Sequence, residues 1–352
     1  KGSFRDDILI DGVFQFVGQV FLRGIMMCVV PLVFVSLVNG SAGMGDIKKL
    51  GKVGVKTMVF YLVTTAIAIV IGLVMAFIIN PGIGLDMGAI ETVEVTASEG
   101  KPMAQVLYEM VPRNPVQALA EGNMLQIIVF AIMTGIALTM LGEKGKGVLK
   151  LFEELNELVM KLVSMVMVLA PFGVLCLVAR TFGQVGIAAA IPLLKSVAAV
   201  YIALAIHLVA VYGGMLKALS GLSPFRFIKK FFPAMAIAFS TASSSATLPV
   251  TMDLTINKIG ASKDISSFSL PLGATVNMDG TAIYQGVSAV FIAQVFGIQV
   301  TPAMALMIVF SATLASIGTA GVPGAGAIML SMVLQTVGLP LEGLGLILGI
   351  DR

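Results

Sequence analysis

The sequence predicts an all-α integral membrane protein, from its composition, its long uncharged stretches and two hydrophobic segments that are interrupted at their centres. Of the 352 residues, 58% are hydrophobic and only 12% are charged, whereas about a quarter of the residues of a soluble domain are charged. The mean hydropathy is +1.02. So few polar residues cannot cover a chain of this length in water. The 22 basic and 19 acidic residues nearly balance, which speaks against a nucleic-acid surface.

Hydrophobic segments recur along the chain, and a membrane-spanning helix needs about 20 apolar residues. The segments are continuous rather than alternating with period two, so they predict helices and not β-barrel strands. Two cysteines that lie far apart predict neither a disulfide framework nor a metal site. The predicted helical segments are residues 12–43, 57–79, 124–141, 151–179, 187–216, 231–257, 265–296 and 303–339, and a last helix begins at residue 344.

The basic residues predict which loops face the cytoplasm, because short cytoplasmic loops carry an excess of lysine and arginine. Basic residues are concentrated in residues 48–56, 144–150 and 217–230. The segment 80–122 instead carries several glutamates, and residues 181–190 are uncharged. We therefore expect the three basic loops inside and the acidic segment outside.

The alternation of sides fails at residues 231–257, which have lysines at both ends. Lys229 and Lys230 precede the segment, and two further lysines follow it closely. Both ends are therefore predicted to be cytoplasmic. The polar run at residues 240–245 supplies a turn between two arms that are each too short to span the bilayer. This pattern predicts a re-entrant helical hairpin.

A second interrupted segment, residues 303–339, lies between loops without lysine or arginine and so enters from the opposite side. Its centre, residues 318–326, is rich in glycine and contains a proline, which a straight helix tolerates poorly. The two segments predict opposed re-entrant hairpins and inverted repeats, the sequence signature of a secondary transporter's binding site. The alternative is a pair of glycine-rich kinks that only help helices to pack.

Asp279 is the most informative single residue, because it lies near the middle of the apolar segment 265–296. A carboxylate at that depth costs roughly 2.5–3.5 kcal/mol on insertion scales, so it indicates a functional site. The oxygen groups near it suit a hard cation rather than a transition metal. The alternative is an aspartate paired with a lysine or arginine of the bundle. His207, the single histidine, is interpreted as a packing residue, with a proton-linked role as the alternative.

The other function classes fit the sequence less well. The chain is predicted not to be an enzyme, because no Gly-x-Ser-x-Gly motif is present and His207 is an unsupported partner for an intramembrane hydrolase built on residues 243–245. The glycine-rich run follows no strand, so it is not a phosphate-binding loop. An anion-conducting channel would explain polar residues in the membrane, but two opposed hairpins fit alternating access better.

Five stretches resemble the glutamate and aspartate transporters, the family of dicarboxylate/amino acid:cation symporters. The resemblance covers the chain from about residue 11 to its end and identifies it as a prokaryotic member of that family. The stretches are Ser-Ser-Ser at 243–245, Leu-Pro-Val-Thr-Met at 248–252, Leu-Pro-Leu-Gly-Ala-Thr at 270–275, Asn-Met-Asp-Gly-Thr at 277–281, and Ala-Ser-Ile-Gly-Thr-Ala-Gly-Val-Pro-Gly-Ala-Gly at 315–326.

The resemblance implies a homotrimer that transports by an elevator mechanism. It also implies a multi-pass protein of the cell's inner (plasma) membrane, surrounded by lipid. Residues 8–45 and 120–182 would form the static scaffold for trimerisation, and residues 49–80 and 187–352 the mobile transport domain. Within the transport domain it implies a hairpin at 225–257, a broken helix at 265–297, a second hairpin at 302–340 and the start of the last helix at 344–352.

The resemblance also implies the residues of the binding sites, with sodium as the coupling ion and no cofactor. The small acidic substrate would contact Ser243, Ser244, Thr281, Val322 and Gly326. One sodium ion would use the carbonyls of Gly273 and Asn277, and a second the backbone around Thr275, Ser316, Ile317 and Thr319, with Met278 nearby. A third would use Tyr61, Thr64, Thr65, Asn277 and Asp279.

Two departures from the family's pattern concern the substrate's charge. Some members have an arginine immediately before the serine triplet, where this chain has Ala242. The family's carboxylate- and amine-binding residues would begin a few residues past Arg352, and its first helix would precede Lys1. We therefore expect a sodium-coupled symporter for glutamate, aspartate or a C4-dicarboxylate. Proton coupling is the alternative, since a buried carboxylate such as Asp279 also accepts a proton.

Overall fold

The computed structural model describes residues 12–43, 52–85, 108–185, 190–317 and 325–350, and within these ranges every regular element is helical. The α-helices of the amino-terminal half are α1 (Gln15–Gly43), α2 (Lys52–Ile79), α3 (Pro115–Glu121), α4 (Met124–Leu141), α5 (Lys146–Val168) and α6 (Ala170–Val185). Those of the carboxy-terminal half are α7 (Ala190–Ile206), α8 (Gly214–Ser220), α9 (Pro224–Thr241), α10 (Ser244–Asp253), α11 (Lys263–Val276), α12 (Asp279–Val295), α13 (Pro302–Ser316), α14 (Ala325–Thr336) and α15 (Leu344–Leu348).

Four helical stretches among the described residues are long and apolar enough to cross a membrane. They are Gly12–Ala42, Gly54–Ile79, Met124–Val168 and Ala190–Ser220. The prediction of an all-helical membrane protein is therefore confirmed for this part of the chain. The predicted helix at 151–179 is divided differently in the structure, because α5 already begins at residue 146 and the helix is interrupted at Leu169.

The two long helices of the amino-terminal part, α1 and α2, pack mainly against different sets of helices. α1 contacts mainly α4, α5 and α6, whereas α2 contacts mainly α12, α7 and α13. α12 is the most deeply buried helix, and nearly all its side chains are inaccessible to solvent. Small residues let α2 approach it closely, because a Cβ atom on Gly72 would lie 2.9 Å from the carbonyl oxygen of Ile283. This close packing places residues of α2 beside the start of α12.

α9 and α10 form a helical hairpin with a very short turn. Ala242 ends α9 in the left-handed conformation (φ 48°), and the Ser243 hydroxyl caps α10 by accepting from the Ala246 N–H at 3.2 Å. The arms run antiparallel, since the Lys230 ammonium donates to the Lys258 carbonyl at 3.0 Å across the open end. The break therefore falls within the polar run at 240–245 that predicted it.

α13 and α14 also pack against each other. The segment between them, 318–324, lies outside the described residues, as do the predicted site residues Thr319 and Val322. Another helix break lies within the segment 265–297, for which a broken helix was predicted. It separates α11 from α12 at Asn277 and Met278.

Candidate functional site

The candidate site begins with the break between α11 and α12. Asn277 (φ −104°, ψ 81°) and Met278 (φ −107°, ψ 57°) leave the helical conformation, so carbonyl groups near the break lose their ordinary helical partners. Asp279 is the first residue of α12, where the helix dipole favours a negative charge. Its side chain is only 5% exposed. A buried carboxylate therefore lies at a helix end, in the middle of the bundle.

The Asp279 carboxylate accepts four hydrogen bonds, two on each oxygen. Oδ1 accepts from the Thr65 hydroxyl at 2.6 Å and from the Asn277 amide at 2.7 Å. Oδ2 accepts from the Tyr212 hydroxyl at 2.5 Å and lies 3.0 Å from Nε2 of His207. Among the described residues the ionisable partner is thus a histidine, and not the lysine or arginine of the alternative interpretation.

Oxygen atoms crowd around the Asn277 amide. Its Nδ2 atom lies 2.9 Å from Oγ1 of Thr64 and 3.3 Å from Oγ1 of Thr65. It also lies 3.3 Å from the carbonyl oxygen of Tyr61 and 2.7 Å from Asp279 Oδ1. An amide NH₂ group carries two hydrogens, so it cannot satisfy four oxygens. The Thr64 hydroxyl donates to the Tyr61 carbonyl at 3.0 Å and the Thr65 hydroxyl to Asp279 Oδ1, so the cluster brings four oxygen atoms together around one amide nitrogen.

Tyr61 takes part differently from the expectation. The resemblance implies three hydroxyl-bearing residues of α2 for the third sodium ion, and the structure places the hydroxyls of two of them, Thr64 and Thr65, at the cluster. The Tyr61 hydroxyl instead donates to the Ser269 carbonyl at 2.8 Å. The long tyrosine side chain reaches α11, so the Tyr61 backbone carbonyl is the group that faces Asn277 at the cluster.

The other predicted cation residues lie along the ends of α11 and α13. The Ser316 hydroxyl donates to the Val276 carbonyl at 3.1 Å, so the end of α13 meets the end of α11. Ile317 is extended (φ −71°, ψ 106°). The Thr275 hydroxyl bonds the Leu272 carbonyl of its own helix at 3.1 Å. The Gly273 carbonyl accepts from the Asn277 N–H at 3.0 Å. Met278 contacts Thr281 through its sulfur, at 3.8 Å.

The predicted substrate residues fall into two places. Thr281 and Gly326 are neighbours, since a Cβ atom on Gly326 would lie 3.4 Å from Cγ2 of Thr281. Ser243 and Ser244 lie at the turn of the α9–α10 hairpin, where Ser244 is exposed.

A cavity of about 670 Å³ lies between the α9–α10 hairpin and the oxygen-rich cluster and is lined by residues of both. Most of its lining side chains are apolar. Ser244 of the hairpin, together with Tyr61, Gly273 and Asn277 of the cluster, contributes to the same wall. One cavity is thus lined both by Ser244 of the hairpin turn and by residues of the oxygen-rich cluster.

Two residues of this site were missed by the interpretation of the sequence. His207 was expected to be a packing residue, and Tyr212 was not singled out, yet both contact Asp279. Their spacing of five residues does not place them on one face of an α-helix, which hides the pair from a search by helical periodicity. The sequence signal for this pair was a histidine followed five residues later by a tyrosine, in a mostly apolar predicted helix.

Comparisons with known proteins find similarity over most of the chain. Residues 8–352 match the sequence profile described as the sodium:dicarboxylate symporter family. The chain is 41% identical over 345 residues to the proton/sodium-glutamate symport protein of Bacillus caldotenax, which covers 96% of this chain and 82% of that protein. It is 36% identical to the proton/glutamate-aspartate symporter of Escherichia coli strain K12, with 95% and 78% covered. It is 35% identical to the C4-dicarboxylate transport protein of Bacillus subtilis strain 168, with 95% and 80% covered.

Proposed function

The chain belongs to the sodium:dicarboxylate symporter family, and from this premise we propose that it couples the inward movement of sodium ions to the uptake of an acidic amino acid or a C4-dicarboxylate. The family is one of transporters and not of enzymes. The observation that carries the proposal is the oxygen-rich cluster around Asn277 and Asp279. The substrate class follows the names of the relatives, which are glutamate, glutamate-aspartate and C4-dicarboxylate transporters.

The cluster suits sodium because a dehydrated ion needs several oxygens in place of its water shell. Two threonine hydroxyls, the Tyr61 carbonyl and one oxygen of Asp279 surround a single point, now taken by the Asn277 amide nitrogen. Turning that amide about its last side-chain bond would present its oxygen instead, and the carboxylate would supply the compensating charge. A proton needs one basic atom and makes no use of the other oxygens around that point.

We propose two further sodium sites near the ends of α11 and α13, at the positions that the resemblance implies. The backbone of Gly273 and Asn277 would serve one, and the segment from Ser316 onward, with Thr275 and Met278, the other. The contact between Ser316 and the Val276 carbonyl supports this placement, since it brings the two irregular helix ends together. Binding there would couple the ions to the neighbouring segment 318–324.

The substrate site is proposed between the two interrupted segments. Ser243 and Ser244 at the α9–α10 turn would contact one side of the substrate, and Thr281, Val322 and Gly326 the other. The cavity supports this, because it is lined both by Ser244 and by residues of the oxygen-rich cluster. Adjacent ion and substrate sites allow each to stabilise the other, which is the thermodynamic basis of coupled transport.

The movement is proposed to be that of an elevator within a homotrimer of the inner membrane. α1 and α4–α6 would form the scaffold, and α2 with α7–α15 the transport domain that carries the two opposed re-entrant hairpins. The packing supports this division, since α1 contacts mainly α4–α6 and α2 contacts mainly α12 and α7.

Proton coupling is the second candidate, and two observations favour it. Relatives are named proton/glutamate-aspartate symporters, and Asp279 lies 3.0 Å from the only histidine of the chain. Coupling to protons would use the same carboxylate, so the two candidates differ in which ion's gradient drives uptake.

The deciding experiment measures uptake of labelled glutamate, aspartate and succinate by the full chain in liposomes, with an inward sodium gradient or an inward proton gradient imposed separately. We expect the sodium gradient to drive uptake, and Asp279→Asn to abolish it. Asp253→Asn is the matched control, because Asp253 is exposed and accepts a hydrogen bond from nearby Asn257 at 2.7 Å, away from the oxygen-rich cluster. Proton-driven uptake in sodium-free buffer that survives Asp279→Asn would overturn the proposal.

A further inference from the structure

One oxygen of the Asp279 carboxylate is occupied by two residues that belong to none of the three proposed sodium sites. Oδ2 accepts from the Tyr212 hydroxyl at 2.5 Å and lies 3.0 Å from His207 Nε2. The two rings also contact each other, edge to face, with centroids 4.7 Å apart. His207 is only 3% exposed. The pair therefore forms a clamp on Oδ2, whereas Thr65 and Asn277 bond Oδ1, and the Tyr212 hydroxyl also lies 3.4 Å from Asn277 Oδ1.

The clamp depends on a local change in helix geometry. Residues His207–Gly213 form a π-helical segment between α7 and α8. In an α-helix, residues five apart are rotated by about 140° from one another, at 3.6 residues per turn. The wider turn of a π-helix bonds residue i to residue i+5. His207 and Tyr212 therefore lie about one turn apart, on nearby sides of the helix. Such segments occur frequently at functional sites.

We propose that His207 and Tyr212 are positioning residues for the coupling cation. By filling Oδ2, they fix the carboxylate so that Oδ1 faces Thr65, Asn277 and the proposed sodium position. This inference rests on the proposed function and extends it to residues that contact no ion. Partners behind a metal ligand are known to set its orientation, and their removal typically costs about 10- to 100-fold in metal affinity.

The partners of its two ring nitrogens indicate that His207 is a hydrogen-bond donor to Asp279. Its Nδ1 atom is buried and has no hydrogen-bond partner among the described residues. An imidazole with its hydrogen on Nε2 donates to Asp279 and leaves only a bare lone pair at Nδ1. With the hydrogen on Nδ1, an N–H would be buried without an acceptor, which costs more. The ring therefore orients the carboxylate by donating a hydrogen bond from Nε2.

The reach of the donor provides the test. The side-chain amide of glutamine extends about as far as Nε2 of histidine, whereas the amide of asparagine ends near the position of Nδ1. We expect His207→Ala and His207→Asn to raise the sodium concentration that gives half-maximal uptake by about tenfold or more, and His207→Gln to restore it to within about threefold of wild type. Tyr212→Phe should raise it in the same direction. The substrate concentration for half-maximal uptake, measured at saturating sodium, should change little.

The controls separate this inference from loss of folding and from the proposed function. Tyr201→Phe is matched to Tyr212→Phe, since Tyr201 lies on α7 with 59% exposure, and it should behave as wild type. If wild-type uptake depends on sodium but the three variants share one sodium dependence, the inference is overturned and the proposed function stands. The three variants are His207→Ala, His207→Asn and His207→Gln. Tighter sodium binding in His207→Ala would also overturn it, because the histidine would then compete with the ion. Sodium-independent wild-type uptake would overturn the proposed function and the inference with it.

Discussion

Replacing Thr65 with valine removes one hydroxyl from the proposed sodium site and leaves the shape of the side chain almost unchanged. Thr65 is completely buried, and its hydroxyl donates to Asp279 Oδ1 at 2.6 Å. A hydrogen bond to a charged group contributes about 1.5–3 kcal/mol, and about 1.4 kcal/mol corresponds to a tenfold change in affinity. The substitution also removes an oxygen from the cluster. We therefore expect half-maximal uptake to require about 10- to 100-fold more sodium.

The assay measures the initial uptake rate in liposomes as sodium is varied at a fixed, saturating substrate concentration. Thr134→Val is the matched control, because the Thr134 hydroxyl bonds the Phe130 carbonyl of its own helix, α4, at 2.7 Å and lies outside the cluster. The control should keep the wild-type sodium dependence. If Thr65→Val reaches the membrane in normal amounts and keeps that dependence too, the oxygens around Asn277 and Asp279 do not bind the coupling ion.

Two further predictions concern topology and packing. Ser223 and Ser262 flank the α9–α10 hairpin and can each be replaced by a single cysteine in a background free of other cysteines. Both cysteines should react with a membrane-impermeant thiol reagent only from the cytoplasmic side. Labelling from opposite sides would show that the segment spans the membrane. Gly72→Ala should lower the thermal unfolding temperature, since overpacking typically costs about 1–3 kcal/mol and the new methyl group would lie 2.9 Å from the Ile283 carbonyl oxygen. Gly214→Ala, where no atom lies within 4 Å of the new Cβ, is the control, and equal unfolding temperatures would contradict the close approach of α2 and α12.

The sequence alone was sufficient to predict the class of protein and to single out the residue at the centre of the candidate site. A membrane helix is recognised by its apolar composition and by a length that matches the bilayer. Both can be counted in the sequence, so these helices could be predicted without tertiary contacts. Asp279 was identified because a carboxylate in an apolar segment is costly wherever the helix packs. The break at residues 240–245 was predicted because its small polar residues favour a turn, and the structure places the turn at Ala242 and Ser243.

Tertiary structure decided which groups surround Asp279. Thr65 and His207 are 214 and 72 residues from it along the chain, and no local pattern relates such distant positions. The pairing of His207 with Tyr212 requires a π-helical turn, whereas helical periodicity places residues five apart on different faces. The role of Tyr61 was likewise decided by packing, because its hydroxyl finds the Ser269 carbonyl on α11 and only its backbone remains at the cluster. Local sequence determines where a polar group is costly, and only the packed helices determine which partners offset that cost.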